Sequence, residues 1–278
     1  MKLAFSTLGC PNFSWVEIYS MAKDLGFKGI EIRGLGDEIS AVRAQPFSEE
    51  QLPQTIKKLS ELRLEIPCLT SGCCLKFAED AEKNHAEIVQ YIDLAARLGT
   101  PYIRILGDLE PYITGEVDDG VVLAALRRLV PLAEEKGVTL LVETNGVYTD
   151  TARLCRLLDE VASDAVAALW DLHHPYRFAG EKPEKTVQNL GAYIKYVHIK
   201  DSVVENGSIR YRMMGEGDLP IDDMMLALRS INYDGYISLE WVKRWAEDLD
   251  DAGVVFPNFA NYMSRFSGVN IVKGHLFE

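Results

Sequence analysis

Several features that would classify a chain at a glance are missing from this one. No run of about 18 apolar residues occurs, so no membrane-spanning helix is expected. The opening stretch, MKLAFSTLGCPNFSW, meets a Ser-Thr pair and Pro11 too early to form the apolar core of a secretory signal. Cysteine is scarce and odd in number: Cys10, Cys68, Cys73, Cys74 and Cys155, with no CxxC spacing. That disfavours both a disulfide framework and a zinc–thiolate site. Free thiols and a cytoplasmic location are expected, with the adjacent Cys73 and Cys74 the pair in which reactivity would be sought. Positive charge is also short, with 29 Lys and Arg against 42 Asp and Glu and a formal charge of −13. Phosphate backbones are bound by Lys and Arg displacing counterions, so no nucleic-acid partner and no membrane partner is expected. Linker-like, low-complexity and Gly-rich nucleotide-loop segments are lacking as well, which points to one domain over residues 1–278.

What the chain does have is a repeated unit. Eight short apolar runs read as strands: KLAFST (2–7), GIEIRG (29–34), EIPCLTS (65–71), YIRILG (102–107), TLLVETN (139–145), AALWDL (167–172), YVHIKD (196–201) and YISLEW (236–241). Most are continuous rather than alternating, as strands covered on both faces should be. Helical periodicity with Ser or Asp at the start, and often Gly at the stop, marks 14–27, 79–100, 118–138, 149–162, 184–193 and 221–233. Pro131 would kink the third of these. The phrases DLGFKGIEI, RLGTPYIRI, EKGVTLLVE and NYDGYISLE repeat helix, Gly and strand. Eight such units in about 250 residues predict the α/β class and a single (β/α)8 TIM barrel. A doubly wound open sheet fits less well without a Gly-rich loop.

A barrel places functional residues where strands end. Glu143 closes the fifth run, Asp171 the sixth, His198 lies in the seventh and Glu240 in the eighth. One buried charge in such a run costs several kcal/mol unless it is paired or bound to a metal. Singly, each could cap a helix, pair with an Arg or bond within the core. On four successive strands they converge, and crowded carboxylates call for a cation. Three carboxylates with one imidazole suit one divalent metal ion, Mn2+, Mg2+, Co2+ or Zn2+. In WDLHHP, His174 stands three after Asp171 and can turn back toward the metal or a bound hydroxyl, while His173 is expected to be exposed or to pack. Glu31, Arg33 and Arg104 could bind substrate hydroxyls or form ion pairs in the barrel. Lys200 and Asp201 could pair with each other or border the site. Trp15, Trp170 and Trp241 could wall a sugar pocket, though core packing is the commoner use.

These residues together resemble the xylose isomerase-like TIM-barrel superfamily of sugar isomerases and epimerases, which includes D-tagatose 3-epimerase, hydroxypyruvate isomerase, inosose isomerase/dehydratase and endonuclease IV. The resemblance runs through FSTLGCPNFSW…AKDLGFKGIEIR, the Glu of LLVETN, WDLHH, VHIKD, GEGDLPI and GYISLEW, in that order. It implies that Glu143, Asp171, His198 and Glu240 bind one divalent metal and that His174 contacts substrate. It implies a basic substrate contact after the strand-seven His, with Arg210 and Arg212 the candidates. It further implies proton transfer beside a ketone through a metal-held enediolate, with Glu143 and Glu240 as the acid/base pair. The substrate would be a small sugar, keto-sugar or polyol ketone, phosphorylated or not. One departure is that residues 145–149 read NGVYT, with no carboxylate before Asp150, where the epimerases carry a further Glu. A dehydratase of the inosose type is the alternative. A non-catalytic sugar-binding barrel and an endonuclease IV-like repair enzyme are weaker readings, the latter because it needs further histidines that strands three and four lack. Gly215 and Gly217 of GEGD could offer amides to a phosphate, against the charge of Glu216 and Asp218. The aromatics of AGVVFPNFANYMSRF (252–266) would cover the barrel or pack a homo-oligomer.

Overall fold

A computed structural model describes residues 1–266, so His275 lies outside the described residues. Eight parallel strands form a nearly closed barrel: β1 (Lys2–Ser6), β2 (Gly29–Glu31), β3 (Cys68–Cys74), β4 (Tyr102–Leu106), β5 (Thr139–Glu143), β6 (Val166–Asp171), β7 (Ile194–Ile199) and β10 (Tyr236–Leu239). Their order around the sheet is β2-β1-β10-β7-β6-β5-β4-β3. The two ends meet through single bridges, Gly29 with Glu65 and Ile32 with Leu69. Backbone hydrogen bonds from Ile30 to Glu65 (3.0 Å) and from Thr70 to Ile32 (2.9 Å) close that seam. Each predicted strand is present.

The expected helices are present as α1 (Trp15–Asp24), α3 (Ala81–Leu98), α4 (Asp119–Lys136), α5 (Thr151–Val161), α7 (Pro183–Leu190) and α8 (Ile221–Ser230). The start of α1 is fixed by a capping box, in which Ser14 and Glu17 satisfy each other's backbone amides. Pro131 lies inside α4. Three helices were not expected: α2 (Leu52–Leu62), α6 (His173–Ala179) and α9 (Ala252–Ser264). An antiparallel hairpin, β8 (Asp201–Glu205) with β9 (Ser208–Arg212), also stands outside the eight units. In α9, Phe256 and Phe259 are fully buried against Phe5 and Phe27, with ring centroids 4.3 Å apart for Phe5–Phe256 and 6.0 Å for Phe27–Phe259. That segment therefore covers the barrel, as one of its two expected roles required.

Inside the barrel the two-residue period of a strand sorts side chains into levels. Ala4, Cys68, Leu141, Ala167, Leu169, Tyr196 and Tyr236 form an apolar floor, with Tyr102 packed against it. Two residues further along the same strands stand Arg104, Glu143, Asp171, His198 and Ser238, and two beyond these Lys200 and Glu240, all buried. The residues of the opposite parity, such as Val142, Trp170, Val197, Ile199 and Ile237, belong to the main core shared with the helices. Trp170 and Trp241 are buried there and Trp15 packs on Tyr19 and Phe47, so the three serve as core aromatics.

Above the strands, Asp108 binds three loops together. Its carboxylate accepts Lys76 Nζ at 2.6 Å, the amide of Leu109 at 2.8 Å and the amide of Val147 at 3.0 Å. Asn145 Nδ2 returns to the Asp108 carbonyl at 2.9 Å. This requires Gly146 to run beneath the carboxylate with φ of +55°, where a Cβ would fall 2.1 Å from Asp108 Oδ2. Gly26 has φ of +78° but open space around it. Gly146→Ala should therefore cost about 2–4 kcal/mol, combining left-handed strain with overpacking, and Gly26→Ala about 1 kcal/mol. Denaturant midpoints of the two variants check this; equal losses would contradict the role given to Asp108.

Candidate active site and metal centre

The cluster is assembled from strand ends, and each side chain has more than one neighbour. Glu143, Asp171, His198 and Glu240 each present one ligand atom within 4.8 Å of the others, an arrangement that can hold a metal ion. His198 is the hub. Its Nδ1 lies 3.1 Å from Glu143 Oε1 and 3.4 Å from Glu240 Oε1, while Nε2 lies 3.0 Å from both oxygens of Glu31. Thr70 Oγ1 donates to Glu31 at 2.7 Å and so fixes that carboxylate in turn. The remaining oxygens face cations. Glu143 Oε2 is 2.8 Å from Arg104 Nε, an ion pair rather than an aligned hydrogen bond, and Arg104 Nη2 is 3.9 Å from Glu240. Lys200 Nζ bridges Asp171 Oδ2 and Glu240 Oε2, the latter at 2.6 Å.

Burial opposes every one of these charges, and the partners overcome it. Against burial, the Arg104 guanidinium and the His198 ring hold the Glu143 carboxyl well below the usual carboxylate range. Asp171 is likewise lowered despite burial, by His174 and Lys200. His198 is raised far above an ordinary imidazole against its burial, by Glu31 and Glu240, so with no metal present it is an imidazolium. Lys200 is raised above an ordinary lysine against the same penalty, by Asp171 and Glu240. His174 goes the other way: burial lowers its proton affinity, against the pull of Asp171.

The WDLHHP stretch resolves into two jobs for Asp171. One oxygen, Oδ1, accepts the amides of His173 (2.8 Å) and His174 (3.2 Å) at the start of α6. The other, Oδ2, faces Lys200 and lies 3.5 Å from His174 Nε2. Pro175 therefore sits in the first turn of a helix rather than in an open loop. His173 is wholly buried with Nε2 3.0 Å from Ser202 Oγ, so it packs and is not exposed.

The cluster opens into a cavity of about 580 Å³ bordered by Arg33, Arg104, Glu143, His174, Lys200 and Glu240, with Asn145, Tyr211 and Trp245 among its further wall residues. Arg104, His174 and Lys200 thus stand where a substrate would meet them. Three other expected contacts do not. Glu31 is completely buried behind His198 and takes no part in the wall. Arg210 and Arg212 lie on β9, where alternation turns Tyr211 to the cavity and leaves them off it; Arg212 pairs instead with Glu205 at 2.7 Å. The GEGD amides are also taken. Asp201 Oδ2 accepts Gly215 N and Gly217 N, each at 3.0 Å, so this chain supplies its own anion there and Asp201 does not pair with Lys200. Among the described residues all five cysteines are free, and burial pushes the Cys73 thiol up to about 12, which leaves it unreactive. Tyr211 and Trp245 escaped sequence reasoning because both lie outside the eight repeated units.

Residues 20–255 match the family described as Xylose isomerase-like TIM barrel. Fructoselysine 3-epimerase of Escherichia coli O157:H7 is 24% identical, over 89% of this chain and 93% of its own. Inosose dehydratase of Clostridium botulinum (strain Alaska E43 / Type E3) is 25% identical, over 77% of this chain and 78% of its own. A crystal structure of the IOLI protein with a binding zinc atom superimposes with a TM-score of 0.74 at 17% identity, covering 97% of this chain and all of that one, a likeness of fold.

Removing Lys200 would leave Asp171 and Glu240 buried without their shared cation. Lys200→Met should lower the stability of the metal-free protein by about 3–5 kcal/mol. Thermal melting in the presence of chelator checks it, and an unchanged melting temperature would mean that the ion pairs contribute nothing.

Proposed function

The chain belongs to the xylose isomerase-like TIM-barrel family, and from that premise we propose that it is a divalent-metal-dependent isomerase or epimerase of a small sugar, keto-sugar or related polyol ketone. The observation that carries this reading is the charge state of the cluster. Four buried carboxylates, Glu31, Glu143, Asp171 and Glu240, share two permanent cations, Arg104 and Lys200. The shortfall of two positive charges is what one divalent ion supplies, and with it His198 can be neutral. The donor set fits such an ion: one imidazole and three carboxylates, all buried. Glu31 behind Nε2 supports the same fit, because a carboxylate on the far nitrogen of a ligand His sets its tautomer and strengthens the ligand. Glu143, Asp171, His198 and Glu240 would hold the metal. When bound, it would draw electron density from a carbonyl and a neighbouring hydroxyl and so acidify the adjacent C–H bond.

The chain's own residues then divide the proton work. Glu143 and Glu240 come from different strands, and each keeps one oxygen at the centre while a fixed cation holds the other. One acts as the carboxylate that removes the proton from carbon, while the other enters the step as its carboxylic acid and delivers its proton to carbon, proton exchange with water restoring the starting states. Arg104 keeps Glu143 ionised, ready to accept, at the cost of making it a weak base. A weak base suffices only for an acidified C–H. The ring of His174 can hydrogen-bond a substrate hydroxyl from the wall. A second reading, loss of water, is favoured by one observation: the Lys200 ammonium borders the cavity between Asp171 and Glu240 and can donate a hydrogen bond to a departing hydroxyl. Isomerisation and epimerisation conserve mass, while dehydration loses one water.

Metal analysis of the purified protein, with a mass-resolved screen of ketoses and inososes, tests the proposal. Glu143→Gln should lower turnover about 10²–10⁴-fold. A preparation that binds no divalent ion and is indifferent to that substitution would sink the reading. Glu31→Gln should weaken binding of Mn2+ about 10–100-fold by titration calorimetry while leaving the four ligands intact; unchanged affinity would contradict the role given to Glu31.

A further inference from the structure

Three cations border the cavity, and two of them are accounted for. Arg104 and Lys200 are paired with the cluster carboxylates. Arg33 forms no ion pair among the described residues, although Glu110 borders the same cavity. Among the described residues, the one hydrogen bond its side chain makes runs from Nη1 to the Ile39 carbonyl, at 3.0 Å. In a chain of net charge −13, a half-buried guanidinium without a carboxylate stands out. Its surroundings on balance oppose its charge: burial first, then Arg104 and Arg244, lower its proton affinity, against opposing effects of Tyr91 and Glu87. An unpaired cation kept in repulsive company is a binding group waiting for an anion.

The local geometry fits one. Arg33 Nη2 lies only 3.1 Å from where a Cβ on Gly72 would stand, so the guanidinium lies across the end of β3. On the same strand end, Arg104 Nη1 donates to the Ser71 carbonyl at 2.9 Å. The two guanidiniums therefore flank Ser71 and Gly72, one beside Glu143 and the other farther out. Trp245, 55% exposed at the mouth, has its ring centroid 5.8 Å from the Arg33 guanidinium carbon. That contact steadies the plane of the fork while Nε and Nη2 stay free to donate. A planar fork offering two parallel donors matches a carboxylate or a phosphate. The GEGD amides cannot serve, since Asp201 already occupies them.

We propose that Arg33 is an anion subsite, and that the substrate is a ketose or polyol ketone carrying a carboxylate or phosphate on a carbon remote from the reacting one. This rests on the reading of the cavity as a ketone site; the anion contact itself is measurable without turnover. Gly72 belongs to the subsite because a Cβ there would stand 3.1 Å from Arg33 Nη2 and press on the guanidinium.

Titration calorimetry of the metal-loaded protein with glycerol, glycerate and glycerol 3-phosphate separates the two anions from each other and from the neutral backbone. At least one anion should bind about 10–100-fold more tightly than glycerol, and Arg33→Met should remove most of that advantage. Preference for glycerol phosphate assigns a phosphate, and preference for glycerate a carboxylate. Arg33→Lys, which keeps the charge and loses the fork, should fall between wild type and Arg33→Met, and it keeps the test decisive should the Met variant fail to fold by circular dichroism. Equal binding of all three probes, or anion binding that neither substitution alters, overturns the subsite. In the ketose screen, the ratio of kcat/KM for anionic over neutral substrates should drop at least about tenfold in the variant. If no ketose reacts while Arg33→Met still abolishes anion binding, the subsite stands and the proposed reaction falls.

Discussion

The structure depends on keeping four carboxylates buried at one end of a barrel. Glu31, Glu143, Asp171 and Glu240 are each 5% exposed or less. Nothing about a sheet favours that; each ionised group must recover several kcal/mol of lost hydration from its neighbours. The recovery is collective. His198 touches three of the four, Arg104 touches Glu143 and approaches Glu240, and Lys200 joins Glu240 to Asp171. No member can be removed without leaving another uncompensated. The same coupling orients the groups, since Glu143 and Glu240 each have one oxygen beside a fixed cation and the other beside His198.

Strand periodicity makes this arrangement possible at little cost in folding. The inward residues of β5, β6, β7 and β10 step from Leu141, Leu169, Tyr196 and Tyr236 on the apolar floor to Glu143, Asp171, His198 and Ser238 above them. A shift of one residue in any strand would exchange these with core side chains such as Val142 or Val197 and bury charges against the helices. The apolar floor and the polar cluster thus enforce one register between them. Asp171 links this level to the next element, because its second oxygen caps the helix that carries His174.

Much of this was legible in the sequence, for a physical reason: ionisable residues inside apolar runs are costly and therefore informative. The eight runs and the set Glu143, Asp171, His198 and Glu240 follow from that alone. What was not legible falls where the repeat does not reach. Helix α2 carries Leu52 and Leu59 at helical spacing but begins without a side-chain cap and with Pro53 in its first turn. The β8–β9 hairpin inserts after β7, and its own alternation decides that Tyr211 faces the cavity while Arg210 and Arg212 do not. The resemblance asked for a basic residue after the strand-seven His, and position along the chain could not tell Arg210 and Arg212 from their neighbour. Glu31 was legible as an inward residue, but its depth behind His198 depends on barrel closure, which a linear pattern does not express.

The centre and the walls of the cavity obey different constraints. Substituting a residue of the centre disturbs the charge balance of the whole cluster, so its composition is tightly constrained. The walls are built from loops held by contacts that do not touch the cluster: Asp108 with Lys76 and Val147, Asp201 with Gly215 and Gly217, and Trp245 beside Arg33. Those loop residues can therefore change without unbalancing the carboxylates, whereas Arg104 and Lys200, which also border the cavity, cannot. On the proposed reading, discrimination between ligands resides in residues such as Arg33, Asn145, Tyr211 and Trp245, while proton transfer resides in Glu143 and Glu240, because selectivity adjusted at the centre would remove the machinery it was meant to select for.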